Sequence, residues 1–326
     1  MADEKPDILV VGAPKPVVVN GLAPACTLHR LSEAKDGDSF LAGIADKVRG
    51  IAVTYMVDGI NGEFMTRFPK LEIVSTFGVG YDHVDAAWAG RHGIVVTNTP
   101  KVLTEEVADT AIGLLLCTVR ELPQAERYLR AGKWLERAYP LTRATLRNRT
   151  VGMVGMGRIG KAIARRLDAF GVPVVYHSRR PQAGVGYRHY PDLVAMAREV
   201  DTLMVIVPGG TATRNLINAE VLRALGPSGI LINVARGSVV DEPALIKALQ
   251  DRTIHAAGLD VFADEPAVPD ELVAMENVVL LPHVGSASLH TREKMDQLVV
   301  DNLLSWFAGR GPLTPVPETP WPANKD

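Results

Sequence analysis

The sequence has 326 residues, which is too long for one typical domain, so we expect two. Hydrophobic residues make up 47% and charged residues 22% of the chain, which is ordinary for a globular protein that fills sizeable cores. The formal net charge of -2 argues against a general affinity for nucleic acid or anionic membranes, so any anion site must be local.

Short β-branched segments alternate with amphipathic segments in the first third of the chain. Four segments are typical of strands buried on both faces, and they span residues 8–11, 50–56, 71–77 and 94–97. The helices predicted between them span residues 39–49, 60–68 and 84–92. Strand and helix in regular succession predict right-handed crossovers and a parallel sheet.

A long helical segment follows, from about residue 104 to residue 120. Leu122 and Pro123 end it, and a second helix is predicted at residues 124–131. The alternation then restarts with six strand candidates, at residues 150–154, 173–176, 202–207, 230–234, 257–261 and 278–281. Six strands make a complete dinucleotide-binding sheet.

A final helix is predicted at residues 291–306, after the last of these strands. Because the second sheet is already complete, this helix has no place in it. We therefore expect the chain to cross back and pack on the first domain, which makes that domain discontinuous. The Pro-rich tail from Gly311 is expected to be extended.

The cysteine pattern and the start of the chain favour a cytoplasmic protein. Cys26 and Cys117 lack C-x-x-C spacing, which argues against a disulfide framework and a structural zinc site. No His, Cys or carboxylate cluster has ligand spacing, so no metal is expected. The charged N-terminal residues show no signal-peptide pattern, and no apolar run is long enough to span a bilayer, so we expect no membrane partner.

A glycine-rich loop joins the strand at residues 150–154 to the helix predicted at residues 159–170. Gly155, Gly157 and Gly160 form G-x-G-x-x-G, which encloses Arg158 and Ile159. In this context glycines permit a tight turn and bring backbone N–H groups close to a pyrophosphate at the helix N-terminus. The loop therefore predicts a dinucleotide site, and the alternative is a turn that binds nothing.

The end of the next strand distinguishes the two nicotinamide cofactors. NAD-binding folds place an acidic residue there, which accepts a hydrogen bond from the ribose 2′-hydroxyl. Here the strand runs into His177, Ser178, Arg179 and Arg180, with no carboxylate. A hydroxyl and two guanidinium groups can bind a 2′-phosphate through charge-assisted hydrogen bonds. We predict NADP(H), with NAD(H) as the alternative cofactor. The alternative interpretation of the segment is a basic turn that is only solvated and binds no phosphate.

Three short segments lie at or just after strand ends in the second half, at the edge where such sheets bind ligands. They are INVARG at residues 232–237, GLDVFADEP at 258–266 and LPHVGSA at 281–287. With the glycine loop, they resemble the signature segments of the D-2-hydroxyacid dehydrogenase family over essentially the whole chain. The resemblance implies an α/β protein with two doubly wound parallel-sheet domains. Residues 100–287 would form a Rossmann-type cofactor domain, and residues 1–99 with 288–326 a flavodoxin-like substrate-binding domain.

The resemblance also assigns the chemistry to three residues. Hydride transfer to a ketone creates an alkoxide, so an acid must lie near the carbonyl oxygen, and His283 has that place in the family pattern. Glu265 corresponds to the carboxylate that keeps the imidazolium populated. Arg236 corresponds to the guanidinium that binds the substrate carboxylate and polarises the ketone. Each residue alone could be an ordinary loop residue, but their joint appearance at three strand ends favours catalysis.

The first half of the chain is expected to bind the substrate carboxylate. Val79 and Gly80 lie in a glycine-containing strand-to-helix turn, where backbone N–H groups can form a small anion nest. The resemblance assigns them this role, and the alternative is a plain turn. Met56 and Val57 are expected to give the substrate site an apolar wall.

Further cofactor contacts are implied by the resemblance. Asp260 would contact the nicotinamide carboxamide, or only cap a strand. Thr104 and Ser286 resemble cofactor-side contacts, and either could instead be a helix N-cap. Val207 and Pro208, at the end of the strand at residues 202–207, complete the predicted cofactor-binding set.

The family members that this chain resembles reduce glyoxylate and hydroxypyruvate, or aromatic 2-oxo acids such as hydroxyphenylpyruvate. We expect NADPH-dependent reduction of glyoxylate and hydroxypyruvate to glycolate and D-glycerate, with His283 as the general acid. Aromatic 2-oxo acids are the alternative substrates, and a nucleotide-sensing, corepressor-like binding protein is the alternative from another class. The long linking helix favours a homodimer, and the segment at residues 134–140 either reaches a neighbouring subunit or forms a surface loop.

Overall fold

The computed structural model describes residues 5–54 and 59–321. The predicted apolar wall at Met56 and Val57 therefore lies outside the described residues. The chain divides into two compact units. The first unit comprises Met1–Leu103 and Ser288–Asp326, and the second comprises Thr104–Ala287.

The first unit has a five-stranded parallel sheet. Its strands are β1 (Asp7–Val11), β2 (Thr27–Arg30), β3 (Val48–Val53), β4 (Ile73–Thr76) and β5 (Val95–Thr97). They are arranged in the order β2-β1-β3-β4-β5. The helices that precede β5 are α1 (Pro16–Leu22), α2 (Gly37–Ile44), α3 (Gly62–Thr66) and α4 (Ala86–Arg91). Strand β2 and helix α1 were not predicted, because β2 is an edge strand with no fully buried residue and α1 has only seven residues.

The second unit has a seven-stranded parallel sheet. Its strands are β6 (Val151–Val154), β7 (Val174–His177), β8 (Arg188–Tyr190), β9 (Thr202–Val205), β10 (Ile230–Asn233), β11 (Ala256–Leu259) and β12 (Val278–Leu280). They are arranged in the order β12-β11-β10-β9-β6-β7-β8. All six predicted strands are present, but the predicted number of strands was wrong, because the sheet has seven. The additional strand, β8, is a three-residue edge strand of polar and aromatic residues that lacks a buried-strand pattern.

Seven helices connect or flank the strands of the second unit. They are α5 (Thr104–Arg120), α6 (Leu122–Arg130), α7 (Arg158–Ala169), α8 (Leu193–Glu199), α9 (Ala219–Leu225), α10 (Glu242–Gln250) and α11 (Asp270–Ala274). In both sheets the strand order reverses once, which is the doubly wound arrangement. The predicted fold class is confirmed. Ligands of such sheets bind at the carboxyl ends of the strands, which is where the predicted site residues lie.

The last helix, α12 (Leu289–Phe307), packs on the sheet of the first unit. The Ser75 hydroxyl of β4 donates to the Val299 carbonyl at 3.2 Å. The tail beyond α12 forms an antiparallel bridge from Pro315 to Thr97 and covers the outer edge of β5. No helix in the described part of the chain has both the length and the apolar character that crossing a membrane requires.

Candidate active site

Three predicted residues follow three neighbouring strands of the second unit. Arg236 follows β10, Glu265 follows β11 and His283 follows β12. These strands are parallel and adjacent in the sheet. Their carboxyl ends therefore meet at one edge, although the residues are far apart in sequence.

His283 and Glu265 form a direct pair. The Nδ1 atom of His283 lies 2.6 Å from Oε2 of Glu265, and both side chains are partly buried. The other oxygen of Glu265 accepts from the backbone N–H of Phe262 at 3.0 Å. Burial alone would raise the pKa of Glu265, but the hydrogen bonds from His283 and Phe262, with the nearby charge of Arg236, lower it below its usual value. Glu265 is therefore ionised at neutral pH, and its contact with Nδ1 leaves Nε2 of His283 outside the pair.

Asp260 holds the turn that carries His283. Its two carboxylate oxygens accept from the backbone N–H groups of Val284 at 2.7 Å and Gly285 at 2.8 Å. Its carbonyl accepts from the His283 N–H at 2.9 Å. His283 has a φ of 52°, in the left-handed region that non-glycine residues seldom occupy. These three bonds stabilise that conformation and fix the direction of the imidazole.

Burial also affects the charge of Asp260, which is 2% exposed. It raises the pKa of this carboxyl, against the two backbone N–H groups, which lower it. Both oxygens are engaged by the turn, and each retains a lone pair that can accept from a ligand amide. The predicted contact with the nicotinamide carboxamide therefore stays a prediction beside this positioning role.

The loop that carries Arg236 is held by Asn233, the last residue of β10, which is 1% exposed. The side-chain amide of Asn233 donates to the Arg236 carbonyl at 3.0 Å, and its oxygen accepts from the Ala235 N–H at 3.0 Å. The Arg236 guanidinium donates to the Ala235 carbonyl at 2.8 Å. Asn233 was not among the predicted site residues. Its signal is a polar residue at the end of an otherwise apolar buried strand.

Gly237 brings the Arg236 loop against the Glu265 loop. A Cβ atom at this position would lie 1.8 Å from the carbonyl carbon of Phe262, so no side chain fits. The next loop residues lead to Glu265, whose carboxylate is bound by Phe262. Close backbone contact at Gly237 therefore sets the separation of Arg236 and Glu265, and this role of Gly237 was not predicted.

The glycine-rich loop lies between β6 and α7 and has room for a ligand. Gly155 has a φ of 105°, and a Cβ there would lie 2.6 Å from the Ile206 carbonyl oxygen. A Cβ at Gly160 would lie 2.5 Å from the Gly155 carbonyl oxygen. In contrast, a Cβ at Gly157 would meet no described atom within 4 Å. Gly157 is also the N-cap of α7 and supplies no side-chain cap. This open space at an uncapped helix N-terminus fits a dinucleotide pyrophosphate.

The basic turn after β7 keeps two guanidinium groups exposed. The hydroxyl of Ser178 donates to the Arg180 carbonyl at 2.7 Å, and the Ser178 carbonyl lies 2.9 Å from Nε2 of His189. Arg179 and Arg180 are exposed, and neither forms an ion pair within residues 5–54 and 59–321. Ser178 is thus fixed by hydrogen bonds, and the exposed guanidinium groups of Arg179 and Arg180 lie next to it in the chain.

Comparison with known proteins decides the family. Residues 112–285 match the family model described as D-isomer specific 2-hydroxyacid dehydrogenase, NAD binding domain, which is more than half of the chain. The chain belongs to the D-isomer specific 2-hydroxyacid dehydrogenase family. The resemblance inferred from the sequence is confirmed.

Within this family, the chain is similar to reductases of 2-oxo acids. The chain is 48% identical over 258 residues to a glyoxylate/hydroxypyruvate reductase of Arabidopsis thaliana, covering 79% of this chain and 82% of the relative. It is 46% identical over 277 residues to a hydroxyphenylpyruvate reductase of Plectranthus scutellarioides, covering 85% and 88%. A crystal structure of an NADPH-dependent glyoxylate/hydroxypyruvate reductase from Sinorhizobium meliloti, with NADP and malonate, is 55% identical. It superposes with a TM-score of 0.93 and covers 99% of this chain and 100% of that one.

The remaining predicted cofactor residues all belong to the second unit. Thr104 is the first residue of α5, and Ser286 is half-buried three residues after His283. Val207 and Pro208 follow β9, and the Pro208 carbonyl accepts from the Thr213 hydroxyl at 2.7 Å. Their contacts with a cofactor stay predictions.

The predicted carboxylate-binding turn belongs to the first unit. Val79 and Gly80 follow β4, and the Val79 carbonyl accepts from the Asn98 side chain at 2.8 Å. The preceding N–H, of Gly78, donates to the Thr99 hydroxyl at 2.9 Å. In the described part of the chain, the backbone N–H groups of Val79 and Gly80 donate to no protein acceptor. A fixed turn with two available N–H donors is what an anion nest requires.

Proposed function

We propose that the protein reduces glyoxylate and hydroxypyruvate to glycolate and D-glycerate with NADPH. The observation that carries the proposal is the 2.6 Å contact between His283 and Glu265 at the sheet edge to which Arg236 also belongs. A histidine paired with an ionised carboxylate can act as a general acid, and a nearby guanidinium suits a 2-oxo acid carboxylate. Similarity to reductases of these two acids supports the substrate class.

The residues proposed for catalysis have different tasks in this reaction. NADPH supplies the hydride when it is bound. His283 donates a proton from Nε2 to the ketone oxygen, so that the carbonyl gains a hydride and a proton and becomes the hydroxyl. Glu265 stabilises the imidazolium that precedes this transfer. Arg236 binds the substrate carboxylate and polarises the ketone, and the N–H groups of Val79 and Gly80 bind the same carboxylate.

The units divide the binding of cofactor and substrate in this proposal. Residues 100–287 form the dinucleotide-binding domain, and residues 1–99 with 288–326 form the substrate-binding domain. The residues that would hold the cofactor are Thr104, Gly155, Gly157, Arg158, Ile159, Gly160, Ser178, Arg179, Arg180, Val207, Pro208, Asp260 and Ser286. Support comes from the open space at Gly157 and the uncapped start of α7.

The direct test is NADPH oxidation by the purified protein with a panel of 2-oxo acids. We expect kcat/KM to be highest for glyoxylate and hydroxypyruvate. A higher kcat/KM for hydroxyphenylpyruvate would favour the aromatic alternative, which the 46% identity to the Plectranthus enzyme supports. No turnover of any acid would refute the enzyme and favour the nucleotide-sensing alternative.

Replacing the arginines of the basic turn after β7 tests the preference for NADPH over NADH. The double variant Arg179→Ala/Arg180→Ala is expected to raise KM for NADPH about 10- to 100-fold, because two charge-assisted hydrogen bonds to the 2′-phosphate are lost. KM for NADH should change little, since NADH lacks that phosphate. Initial rates with each cofactor check this. Arg223→Ala, at an exposed position of α9, is the matched control, and equal losses for both cofactors would contradict the assignment.

We propose a homodimer formed through α6 and the segment that follows it. Helix α6 has no buried residue, and Tyr128 and Tyr139 fix the following segment through hydrogen bonds to the Arg137 carbonyl and to Glu121. Large apolar side chains are exposed along this stretch, namely Leu122, Leu129, Trp134, Leu135 and Leu141. Several exposed large apolar side chains in one segment are typical of a protein interface. The same surface on a second copy can pair with it about a two-fold axis.

Sedimentation measures this association. We expect twice the mass of one chain for the wild-type protein and a single-chain mass for Leu135→Asp/Leu141→Asp, whose side chains are 95% and 97% exposed. Phe170→Asp alters an exposed apolar residue at the end of α7 and should stay dimeric. A dimer that survives the double substitution would place the interface elsewhere.

We also propose a cytoplasmic location. Cys26 and Cys117 are both free thiols, as expected in a reducing compartment. Cell fractionation with an antibody to the protein tests this, and recovery in a secreted or membrane fraction would contradict it.

A further inference from the structure

A series of hydrogen bonds leads from α12 through the C-terminal tail to the turn at Val79 and Gly80. All of these residues belong to the first unit. The proposed chemistry assigns the substrate carboxylate to the turn but gives no role to the tail. The contacts between them show how the tail can affect substrate binding.

The series begins at Asn302 of α12, whose side chain is fully buried. Its oxygen accepts from the backbone N–H groups of Leu313 at 2.9 Å and Thr314 at 3.0 Å, and its amide donates to the Thr314 hydroxyl at 2.9 Å. The Thr314 hydroxyl in turn donates to the Asn98 carbonyl at 2.6 Å, and the Asn98 N–H donates to the Thr314 carbonyl at 3.3 Å. Thr314 is therefore fixed by α12 and holds Asn98, the residue directly after β5.

Asn98 connects this series to the turn. It is 8% exposed, and its side-chain amide donates to the Val79 carbonyl at 2.8 Å. That carbonyl and the Gly80 N–H belong to the same peptide group, which is trans, so they point in opposite directions. The bond from Asn98 therefore fixes the direction of the Gly80 N–H, which points away from Asn98.

The tail also holds the residue that follows the turn. The hydroxyl of Tyr81 donates to Oε2 of Glu318 at 2.9 Å. Burial of the ring and this hydrogen bond raise the pKa of Tyr81 to about 12, so the phenol stays protonated and donates at neutral pH. The turn is thus tied to the tail on both sides of its N–H groups, through Asn98 and through Tyr81.

A fixed peptide group matters because an anion nest depends on the direction of its N–H groups. A peptide group without a partner for its carbonyl can rotate about the single bonds on either side, and the rotation carries the N–H away from the anion. Ordering such a turn when the ligand binds costs binding free energy, whereas a turn that is already fixed avoids that cost.

We propose that Asn98 and Thr314 are positioning residues, which orient the Val79–Gly80 peptide group so that its N–H binds the substrate carboxylate. The inference rests on the proposed function, which assigns the carboxylate to this turn. Thr314 acts through Asn98, and Asn98 acts through the peptide group. Because the carboxylate is bound both before and during hydride transfer, loss of either residue should weaken substrate binding and leave the chemical step intact.

Steady-state reduction of glyoxylate by the full-length protein tests this role. Asn98→Ala is expected to raise KM for glyoxylate about 10-fold, and Thr314→Val about 3- to 10-fold, because each removes a hydrogen bond that fixes the turn. Values of kcat and of KM for NADPH should stay unchanged. The inhibition constant of oxamate, an unreactive amide analogue of a 2-oxo acid, should rise by the same factor as KM.

Two further variants separate positioning from stability. Thr314→Ser keeps the hydroxyl and should restore the wild-type KM. The double variant Asn98→Ala/Thr314→Val should have the KM of Asn98→Ala alone, since Thr314 acts through Asn98. Ser75→Ala is the matched control, because it also removes a buried hydroxyl-to-carbonyl bond between α12 and the sheet, and it should leave KM unchanged.

The outcomes distinguish this inference from the proposed function. An unchanged KM and oxamate inhibition constant in folded Thr314→Val, or a fall of kcat and NADPH affinity by the same factor as glyoxylate affinity, would overturn the positioning role and leave the function standing. No turnover of glyoxylate by the wild-type protein would refute both. Thermal unfolding is measured for every variant, and Thr314→Ala replaces Thr314→Val if the latter is unfolded at the assay temperature.

Discussion

Replacing His283 with asparagine is expected to lower kcat for glyoxylate reduction about 10²- to 10⁴-fold, which is the usual contribution of a positioned general acid. Asparagine is the suitable replacement because it tolerates a positive φ, and His283 has a φ of 52°. The turn held by Asp260 should therefore survive. The amide cannot deliver a proton to the ketone oxygen, so the loss should appear in kcat.

Affinity for NADPH should change little in the same variant, and fluorescence titration of NADPH measures it beside steady-state kcat. If kcat and NADPH affinity fall by the same factor, His283 supports the structure and is not the acid. His290→Asn, at an exposed histidine in the first turn of α12, should leave both values unchanged.

The second prediction concerns the carboxylate beside the imidazole. Glu265→Gln keeps the size of the side chain but removes the charge that stabilises the imidazolium. We expect kcat at neutral pH to fall about 10²-fold or more, as in other sites where a carboxylate orients a catalytic histidine. The amide can also present N–H to Nδ1, which opposes the imidazolium further.

The pH dependence of kcat shows how the Glu265 carboxylate affects the reaction. In the wild-type protein the pKa of Glu265 is lowered, so the pair should keep its negative partner down to pH values below the ordinary carboxyl range. The acid limb of the kcat profile should therefore lie below that range in the wild-type protein. Glu265→Gln has no carboxylate to protonate, so this acid limb should be absent from its profile.

A profile with unchanged limbs and only a lower maximum would contradict electrostatic stabilisation by Glu265. The neighbouring Asp264 provides the matched control, because it is exposed and lies one residue earlier in the same loop. Asp264→Asn should keep both the maximum and the limbs.

The sequence predicts the interior of this fold better than its edges. Strands buried on both faces, such as β6 and β9, have continuous apolar patterns that identify them. The edge strands β2 and β8 were not predicted because they are short and most of their residues are polar or partly exposed. Neither the continuous apolar pattern of a buried strand nor the alternating pattern of a half-buried one is visible in so few residues. Their places in the sheets depend on neighbours that are distant in sequence.

The three residues that we propose for catalysis could be selected from the sequence, whereas the residues that support them could not. His283, Glu265 and Arg236 belong to recognisable segments, and the chemistry of a 2-oxo acid requires groups of their kinds. The role of Asn233 depends on a hydrogen bond that forms only when β10 ends beside the Arg236 loop. Asp260 was assigned to the cofactor, but its two bonds to the turn after β12 are visible only in three dimensions.

The path of α12 back to the first unit determines the order in which the chain can fold during synthesis. The second unit is continuous, so all of its strands are available once Ala287 has left the ribosome. The first unit lacks the helix that covers β4 until Leu289–Phe307 follows, and it lacks the tail that borders β5 until later still. Its apolar sheet face therefore stays uncovered throughout synthesis of the second unit. The nascent chain completes its units in the reverse of the order in which they begin.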